Sequence, residues 1–410
     1  MLVARKHLQL LSALFFTCCI LVYYRELFHP YVYRSPPEPA APEHVNWDGP
    51  ANATLGFGAV IVVSGPGSPR RAKIIQASNV TEISLTIPEQ PEWTDQHLQN
   101  FTNAMKWGGR DTGRGSALAW LSHDHALKWF LNSGLETALI LEDDVDWDIH
   151  LRTIQIPQTA GAIRELLMGP SYYGNLSAWD MIWIGHCGDW FNKLEDGIGP
   201  GFQEPATLAS LPHKIFSDSS LPDRENLHPF TKDLLTALEL PEKTRTVHKS
   251  IWPLCTFAYG ITRRGAARII EEIAPIDRPE QPHYDEALWH GCRVRGLECY
   301  TVNPELMHHM PGDSIIAQED SREIIYLPPV DAKGLDQCKA RGETSNIECG
   351  FWSGDFEFDN EEKLQLLREE VGRKGRCLKP NREQGPTQQP QEPPVADNSA
   401  FTTPVLVGGE

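Results

Sequence analysis

Short apolar runs alternate with longer amphipathic segments along the middle of the chain. The runs are rich in β-branched and aromatic residues, as is typical of strands buried on both faces of a sheet. Segment 116–133 repeats its apolar residues at three-and-four spacing and is followed by Gly134, a combination that predicts a helix. The predicted strands are 58–63, 137–141, 179–185 and 257–261, and a further helix is predicted at 264–273. This order predicts an α/β fold whose mostly parallel, Rossmann-type sheet carries helices on both faces.

Residues 191–250 interrupt this alternation. The segment is polar and rich in proline and aspartate, and it contains one convincing helix, at 231–240. A stretch of 60 residues is too long for a bare connection between two elements. We therefore predict an insertion beside the ligand site that helps to shape the acceptor pocket.

The N-terminal region contains an uncharged apolar run at 8–24, preceded by Arg5 and Lys6. As a helix this run would be about 25 Å long, enough for a thin bilayer. A buried core helix and a cleaved signal peptide are the alternatives, but the run has no polar face and no small-residue cleavage site follows it. The basic flank predicts a signal-anchor, with residues 1–7 in the cytosol and the rest of the chain in the lumen.

The flanking segments suggest how the remaining chain is divided. Residues 25–55 are rich in proline and are predicted to form a stem, and residues 378–410 are rich in glutamine and proline and are predicted to be disordered. Residues 56–377 then form one luminal domain. We expect a single-pass type II protein of the Golgi or endoplasmic reticulum membrane.

Two further features agree with a luminal domain. Seven of the nine cysteines lie outside the predicted anchor, and in an oxidising compartment they would form up to three disulfides and leave at least one thiol. Asn-x-Ser/Thr sequons, the acceptors of N-linked glycans, lie downstream of the anchor at Asn52, Asn79, Asn100 and Asn175.

The formal net charge of −18 argues against a nucleic-acid partner, because such a partner requires a basic surface. The charge does not exclude a phosphate-bearing substrate, since a bound divalent cation reverses the local sign. We expect a small charged substrate and no nucleic acid.

The strongest chemical signal is the acidic triplet Glu142-Asp143-Asp144, which directly follows the predicted strand 137–141 and precedes two further aspartates, Asp146 and Asp148. The carboxyl ends of strands line the ligand crevice of such sheets. Because strand side chains alternate, Glu142 and Asp144 are predicted to share one side and to hold Mn²⁺ or Mg²⁺. Asp143 would face the other side and contact the ribose or the sugar. The alternative is a solvated acidic loop.

Three basic side chains are candidates for binding a nucleotide. His123 lies on the apolar face of the helix at 116–133, where it either orients the nucleotide or an acidic side chain, or is a core histidine bonded to a backbone carbonyl. Arg70 and Arg71 follow the turn after the first strand. They could bind a phosphate through two hydrogen bonds, or simply be surface arginines.

Asp285 and Glu286 begin a second apolar helix. They are either charges that match the dipole of a helix N-terminus or a general base, which takes the proton of an attacking hydroxyl in an inverting transfer. His308 and His309 are adjacent on a predicted strand, so at most one of them could be a metal ligand.

The segment GRGSALAWLSHDHALKWFLNSGLETALILEDDVDWD resembles glycosyltransferase family 25, which includes bacterial lipooligosaccharide and animal procollagen galactosyltransferases. The family has a Leu-Ser-His helix, a small-residue turn, and an apolar strand that closes in Glu-Asp-Asp. Three further stretches are similar in the same order, AVIVVSGPGSPRRAKII, FAYGITRRGAARII and HYDEAL, and Asp313-Ser314-Ile315 fits the family's closing portion. The likeness spans roughly residues 57–316. Arg114-Gly115 stands where the family has Gly-Glu.

The resemblance implies a GT-A-like fold and an inverting transfer from a nucleotide-sugar that depends on Mn²⁺ or a similar ion. It implies that Glu142, Asp143 and Asp144 form the metal–nucleotide site, that His123 belongs to this site, and that Asp285 is the base. We therefore expect an enzyme that moves a hexose such as galactose from a UDP-sugar to a glycan or hydroxylated protein acceptor. The alternative from another class is a non-catalytic glycan-binding or scaffold protein that retains the fold. A metal-dependent hydrolase would need a richer set of histidines.

Overall fold

The computed structural model describes residues 49–105, 112–189, 191, 204–310 and 346–380. Eight strands form one central sheet and two short strands form a separate pair. The strands of the sheet are β1 Val60–Val63, β2 Leu85–Thr86, β3 Thr137–Glu142, β5 Met181–Gly185, β6 His213–Ser217, β7 Thr244–Lys249, β8 Ala258–Thr262 and β9 Cys299–Asn303, and the pair consists of β4 Val145–Trp147 and β10 Met307–His309.

The central sheet has the order β2-β1-β3-β8-β5-β9-β7-β6. Strands β2, β1 and β3 are parallel, and so are β5 and β9, whereas β8 is antiparallel to both of its neighbours and β7 to both of its own. Six of the eight strands therefore point in one direction and two oppose them. The predicted α/β fold with a mostly parallel sheet is confirmed, but the strand predicted at 257–261 runs against the majority.

Helices cover both faces of the sheet, as the alternating pattern predicted. The main helices are α1 Arg71–Thr81, α2 Asp95–Asn103, α3 Arg114–Ser133, α4 Ile156–Leu167, α5 Pro205–Ala209, α6 Pro229–Ala237, α7 Arg263–Arg268, α8 Tyr284–Val294 and α9 Glu361–Leu367. Helices α1 and α4 pack on one face, where Val60, Val62 and Leu139 are buried. Helices α2, α3, α7 and α8 pack on the other face, against Ile61, Ile140 and Trp183. Each central strand therefore buries its alternate side chains in two cores, one on each face of the sheet, and this explains the continuous apolar runs.

The predicted insertion at 191–250 is part of the sheet. Its strands β6 and β7 extend the sheet beyond β9, and α6 packs in a small core with Leu221, Leu227 and Leu240. β6 lies at the edge and is only half-buried. Its sequence therefore lacks the apolar run of a central strand.

Three disulfides connect cysteines of the described residues, namely Cys187–Cys255, Cys292–Cys299 and Cys349–Cys377. Their number equals the upper limit expected from the sequence. Cys18, Cys19 and Cys338 lie outside the described residues.

The predicted anchor at 8–24, most of the stem and most of the C-terminal tail also lie outside the described residues. Among the helices that are described, none is both long enough and apolar enough to cross a bilayer. The end of the predicted stem is packed into the domain, because Leu55 is buried and its carbonyl accepts a hydrogen bond from the hydroxyl of Tyr173.

Candidate active site

The acidic triplet lies where β3 ends. Glu142 is the last residue of β3, and Asp143 and Asp144 form a tight turn that leads into β4. The strict alternation assumed for the triplet therefore stops at Glu142. Strand β1 ends beside it, with Val63 opposite Glu142. The three carboxylates consequently reach three different sets of partners at one edge of the sheet.

Asp144 joins two basic groups from distant parts of the chain. Its Oδ2 lies 2.5 Å from Nη1 of Arg70 and 3.0 Å from Nε2 of His309. Burial alone would raise the pKa of Asp144, but the hydrogen bond from His309 and the charges of His309 and Arg70 hold it below its ordinary value. Burial would likewise lower the pKa of His309, whereas Asp144 raises it above its ordinary value. The pair is therefore an ion pair, with a third charge from Arg70.

The other carboxylate oxygen of Asp144 is unsatisfied. Oδ1 is buried and accepts no hydrogen bond from the described part of the chain. A buried carboxylate oxygen without a donor is costly and is rare in folded proteins. A bound cation would supply the missing partner.

Glu142 is held by a buried histidine. Its Oε1 lies 3.1 Å from Nε2 of His123 and 3.0 Å from the hydroxyl of Thr256. Nδ1 of His123 lies 3.1 Å from the hydroxyl of Tyr259, and the ring stacks on Tyr284 at 4.7 Å. Of the two interpretations of His123 from the sequence, the structure favours the one in which it orients an acidic side chain.

Asp143 faces the turn after β1. Its Oδ2 lies 2.6 Å from the hydroxyl of Ser64, and burial raises its pKa. Arg71 holds the same turn, because its guanidinium donates to the hydroxyl and carbonyl of Ser64 and to the carbonyl of Gly65. Of the two arginines, Arg70 reaches the carboxylates and Arg71 fixes the loop between β1 and α1.

Asp285 lies in the first turn of α8, next to Glu286. Its Oδ2 accepts a hydrogen bond from the N–H of Cys255 at 3.0 Å, and its Oδ1 accepts from the N–H of Glu286 at 2.9 Å. Cys255 is the neighbour of Thr256, which donates to Glu142. Asp285 therefore lies at the same edge of the sheet as the triplet. It is connected to Glu142 through the adjacent residues Cys255 and Thr256.

The two adjacent histidines have different partners. His309 contacts Asp144, whereas Nδ1 of His308 lies 2.5 Å from the buried carboxylate of Glu305. Although burial would raise it, the pKa of Glu305 falls to about 2 because of the hydrogen bond and charge of His308. If one of the two histidines is a metal ligand, the geometry favours His309.

A metal ion fits this arrangement in its donor chemistry. Glu142 and Asp144 offer carboxylate oxygens, which suit Mn²⁺, and within the described residues Oδ1 of Asp144 lacks a partner. In the conformation described, no three such side chains converge within the described residues. Arg70 occupies Oδ2 of Asp144, so a cation would share or displace that contact.

Thr256, Tyr259 and His309 are site residues that sequence reasoning missed or left open. Tyr259 lies in the segment FAYGITRRGAARII that resembles the family, and the adjacent pair His308-His309 marked His309 as a candidate without deciding between the two. The contacts of Thr256 and His309 at the site arise between distant segments, which no local pattern reports.

Comparisons with known proteins add little to this geometry. No family model matches the chain, and no curated protein matches it either. Among solved structures, the chain is similar to the crystal structure of a glycosyltransferase involved in glycosylation of the major capsid of PBCV-1. The identity is 12%, the TM-score is 0.26, and the match covers 64% of this chain and 97% of the other. A likeness this weak carries no inference, and the resemblance to family 25 stays a prediction.

Proposed function

We propose that the chain is a metal-dependent glycosyltransferase that moves a hexose from a UDP-sugar to a hydroxyl of a glycan or protein acceptor, with inversion at the sugar carbon and a GT-A-like fold. The observation that carries the proposal is the group around Asp144. A carboxylate lies at the carboxyl edge of an α/β sheet, between an arginine and a histidine, and one of its buried oxygens has no donor in the part of the chain that the structure describes. This edge is where such sheets bind nucleotides.

Glu142 and Asp144 would hold Mn²⁺, with Mg²⁺ as the other candidate, and His309 would orient Asp144 through their ion pair. When bound, the ion would neutralise the diphosphate and stabilise it as a leaving group. Arg70 would then face the phosphates, to which a guanidinium can donate two parallel hydrogen bonds. Asp143 lies on the β1 side of this edge and is the candidate for binding the ribose or the sugar.

His123 would act through Glu142. It lies between Glu142 and the hydroxyl of Tyr259, so the carboxylate keeps one orientation. Burial raises the pKa of Tyr259 well above its ordinary value, and the hydroxyl therefore stays protonated. A fixed carboxylate avoids the entropy loss of ordering a free side chain when the ligand binds.

Asp285 is the candidate general base, with Glu286 beside it. In an inverting transfer one carboxylate takes the proton of the acceptor hydroxyl as that oxygen attacks the sugar. Asp285 already accepts two backbone hydrogen bonds, from Cys255 and Glu286. These bonds fix its position near Thr256 and the triplet.

The compartment is proposed on separate grounds. Three disulfides within the described residues are typical of proteins that fold in an oxidising compartment. They support a Golgi or endoplasmic reticulum location, with the catalytic domain in the lumen.

A donor screen tests the proposal. The full-length protein is incubated with a panel of UDP- and GDP-sugars in Mn²⁺, and release of the nucleotide diphosphate is measured. We expect release from one or more UDP-hexoses, and removal of the metal with EDTA should stop it. If calorimetry also detects no binding of UDP or GDP, the non-catalytic alternative replaces the proposal.

A further inference from the structure

The acidic run does not end with the triplet, and its last two members have a different task. Asp146 lies on β4 and Asp148 directly follows it, and Val145 and Trp147 between and beside them are buried in the core. Both carboxylates are almost fully buried. No part of the proposed transfer reaction uses them.

Both carboxylates bind the backbone of a segment 200 residues away in the sequence. Asp148 Oδ2 accepts the N–H groups of Glu348 at 3.0 Å and Cys349 at 2.9 Å. Asp146 accepts the N–H groups of Phe351 at 2.7 Å and Trp352 at 3.2 Å. Hydrogen bonds from backbone N–H groups to a buried carboxylate are charge-assisted and strong.

This segment also reaches the partner strand of β4. Oε1 of Glu305, just before β10, accepts a hydrogen bond from Nδ2 of Asn346 at 2.6 Å. β10 pairs with β4 and carries His309, and the N–H of Met310 donates to the carbonyl of Asp144 at 2.7 Å. The segment therefore contacts β4 and the residues just before β10, the two strands that flank the Asp144–His309 pair.

The Cys349–Cys377 disulfide links the segment to a C-terminal helix that packs on α1. Arg368 donates to the carbonyl of Asn79 at 2.8 Å, and Gly372 packs so tightly that an added Cβ would lie 2.1 Å from the carbonyl of Val80. α1 follows directly on Arg70, the third group at Asp144. One disulfide-closed unit thus contacts each element that supplies a member of this trio.

We propose that residues 346–380, here called the brace, set the relative position of Arg70, Asp144 and His309, and that Asp146 and Asp148 are the positioning residues that fasten it. The identity of the ligand rests on the proposed function. The effect of the brace on the positions of Arg70, Asp144 and His309 does not. Residues that orient metal ligands from behind are known to alter affinity strongly when removed.

The test compares Asp148→Asn with Asp180→Asn in the full-length protein. Asp180 is a matched control: it is equally buried and binds Arg264, Arg268 and a backbone N–H, but it lies at the start of β5, at the opposite edge of the sheet. Mn²⁺ affinity is measured in the presence of UDP. We expect Asp148→Asn to weaken Mn²⁺ binding about tenfold and to raise the KM for the UDP-sugar more than it lowers kcat. Asp180→Asn should leave the affinity near that of the wild type.

A second pair of variants guards against loss of folding. Cys349→Ser with Cys377→Ser opens the brace, and Cys292→Ser with Cys299→Ser removes a disulfide elsewhere. Hydrogen exchange at the amide of Met310 is the ligand-free readout. Faster exchange is expected in Asp148→Asn and in the opened brace, and not in either control.

Two outcomes would overturn the proposal. In the first, amide hydrogen exchange becomes faster within the brace in Asp148→Asn or in the opened brace, while exchange at Met310 and the affinity for Mn²⁺ with UDP stay at wild-type values. The other is equal weakening in the Asp180 or Cys292–Cys299 controls. If the wild type binds neither Mn²⁺ nor UDP, the proposed function fails, and Met310 exchange still decides whether the brace holds the strands.

Discussion

The two halves of the acidic run at 142–148 have different partners. Glu142, Asp143 and Asp144 meet side chains from four other regions of the chain, and one buried oxygen of Asp144 has no donor among the described residues. Asp146 and Asp148 instead accept several backbone N–H groups, and Asp148 also pairs with the ring of His150. A carboxylate saturated by such donors has little capacity left for a ligand. The difference indicates that the unmet hydrogen-bonding capacity of an acidic residue, more than its acidity, marks it as a candidate for function.

The largest effect should come from Asp144→Asn. The amide keeps the shape of the side chain but removes the charge that a metal and Arg70 require. We expect Mn²⁺-dependent UDP release to fall by at least about a hundredfold, because a direct metal ligand is lost. The unfolding free energy, from urea titration, should fall by about 1–3 kcal/mol, because Arg70 and His309 lose the carboxylate that they share. A large loss of stability with retained activity would show that Asp144 has a structural role, as Asp146 and Asp148 do.

A smaller effect should come from the pH dependence of a buried carboxylate whose oxygens are saturated by donors. Asp189 lies outside the run but belongs to the same class, because it accepts N–H groups of Ile251 and Trp252 and the hydroxyl of Thr301. Burial raises the pKa of Asp189 to about 6 in the folded state, above the ordinary 3.8. Between these values the folded state binds more protons than the unfolded state, so this group stabilises the protein at low pH and loses that contribution as pH rises to about 6.

Asp189→Asn removes this dependence. The unfolding free energy of the variant relative to the wild type should shift in favour of the variant between about pH 4 and pH 6, on the order of 2 kcal/mol. Urea denaturation at several pH values measures it. Curves that stay parallel across this range would show that Asp189 is not protonated in the folded state.

The smallest effect tests the support behind Glu142. Tyr259→Phe removes the hydroxyl that lies 3.1 Å from Nδ1 of His123 and leaves the ring in place. We expect about 1 kcal/mol less stability, the usual net value of one hydrogen bond, and about fivefold weaker Mn²⁺–UDP binding. Tyr300→Phe, a buried tyrosine on β9, is the control. Equal effects in both variants would show that His123 holds Glu142 without help from Tyr259.

The sequence predicted the parts of the fold that are buried on both faces. The runs at 58–63 and 137–141 are strands β1 and β3, because a strand covered on both sides must be apolar throughout. Strands β6 and β7 were missed inside the predicted insertion. β6 lies at the outer edge of the sheet, where half-exposed positions admit polar residues such as Lys214. β7 is buried, but it carries the polar residues Arg245, Thr246 and His248 in place of an apolar run.

Within the site, local order was predicted and long-range pairing was not. The triplet was recognised because Glu142 ends a buried strand. The turn at Asp143–Asp144 was missed, since an acidic pair is equally compatible with a continuing strand. His309 reaches Asp144 only because β10 pairs with β4, and the separation of these strands in the sequence hides that contact. The structural role of Asp146 and Asp148 was not predicted, because their backbone donors lie still further along the chain.

The most direct test of the account is Mn²⁺ binding at Asp144. The paramagnetic signal of free Mn²⁺ is titrated with full-length protein in the presence of UDP, for the wild type and for Asp144→Asn. The account predicts that the wild type binds one Mn²⁺ and that the variant binds it at least about a hundredfold more weakly. Equal affinity in the two proteins would contradict it, because Oδ1 of Asp144 would then have no part in holding the metal.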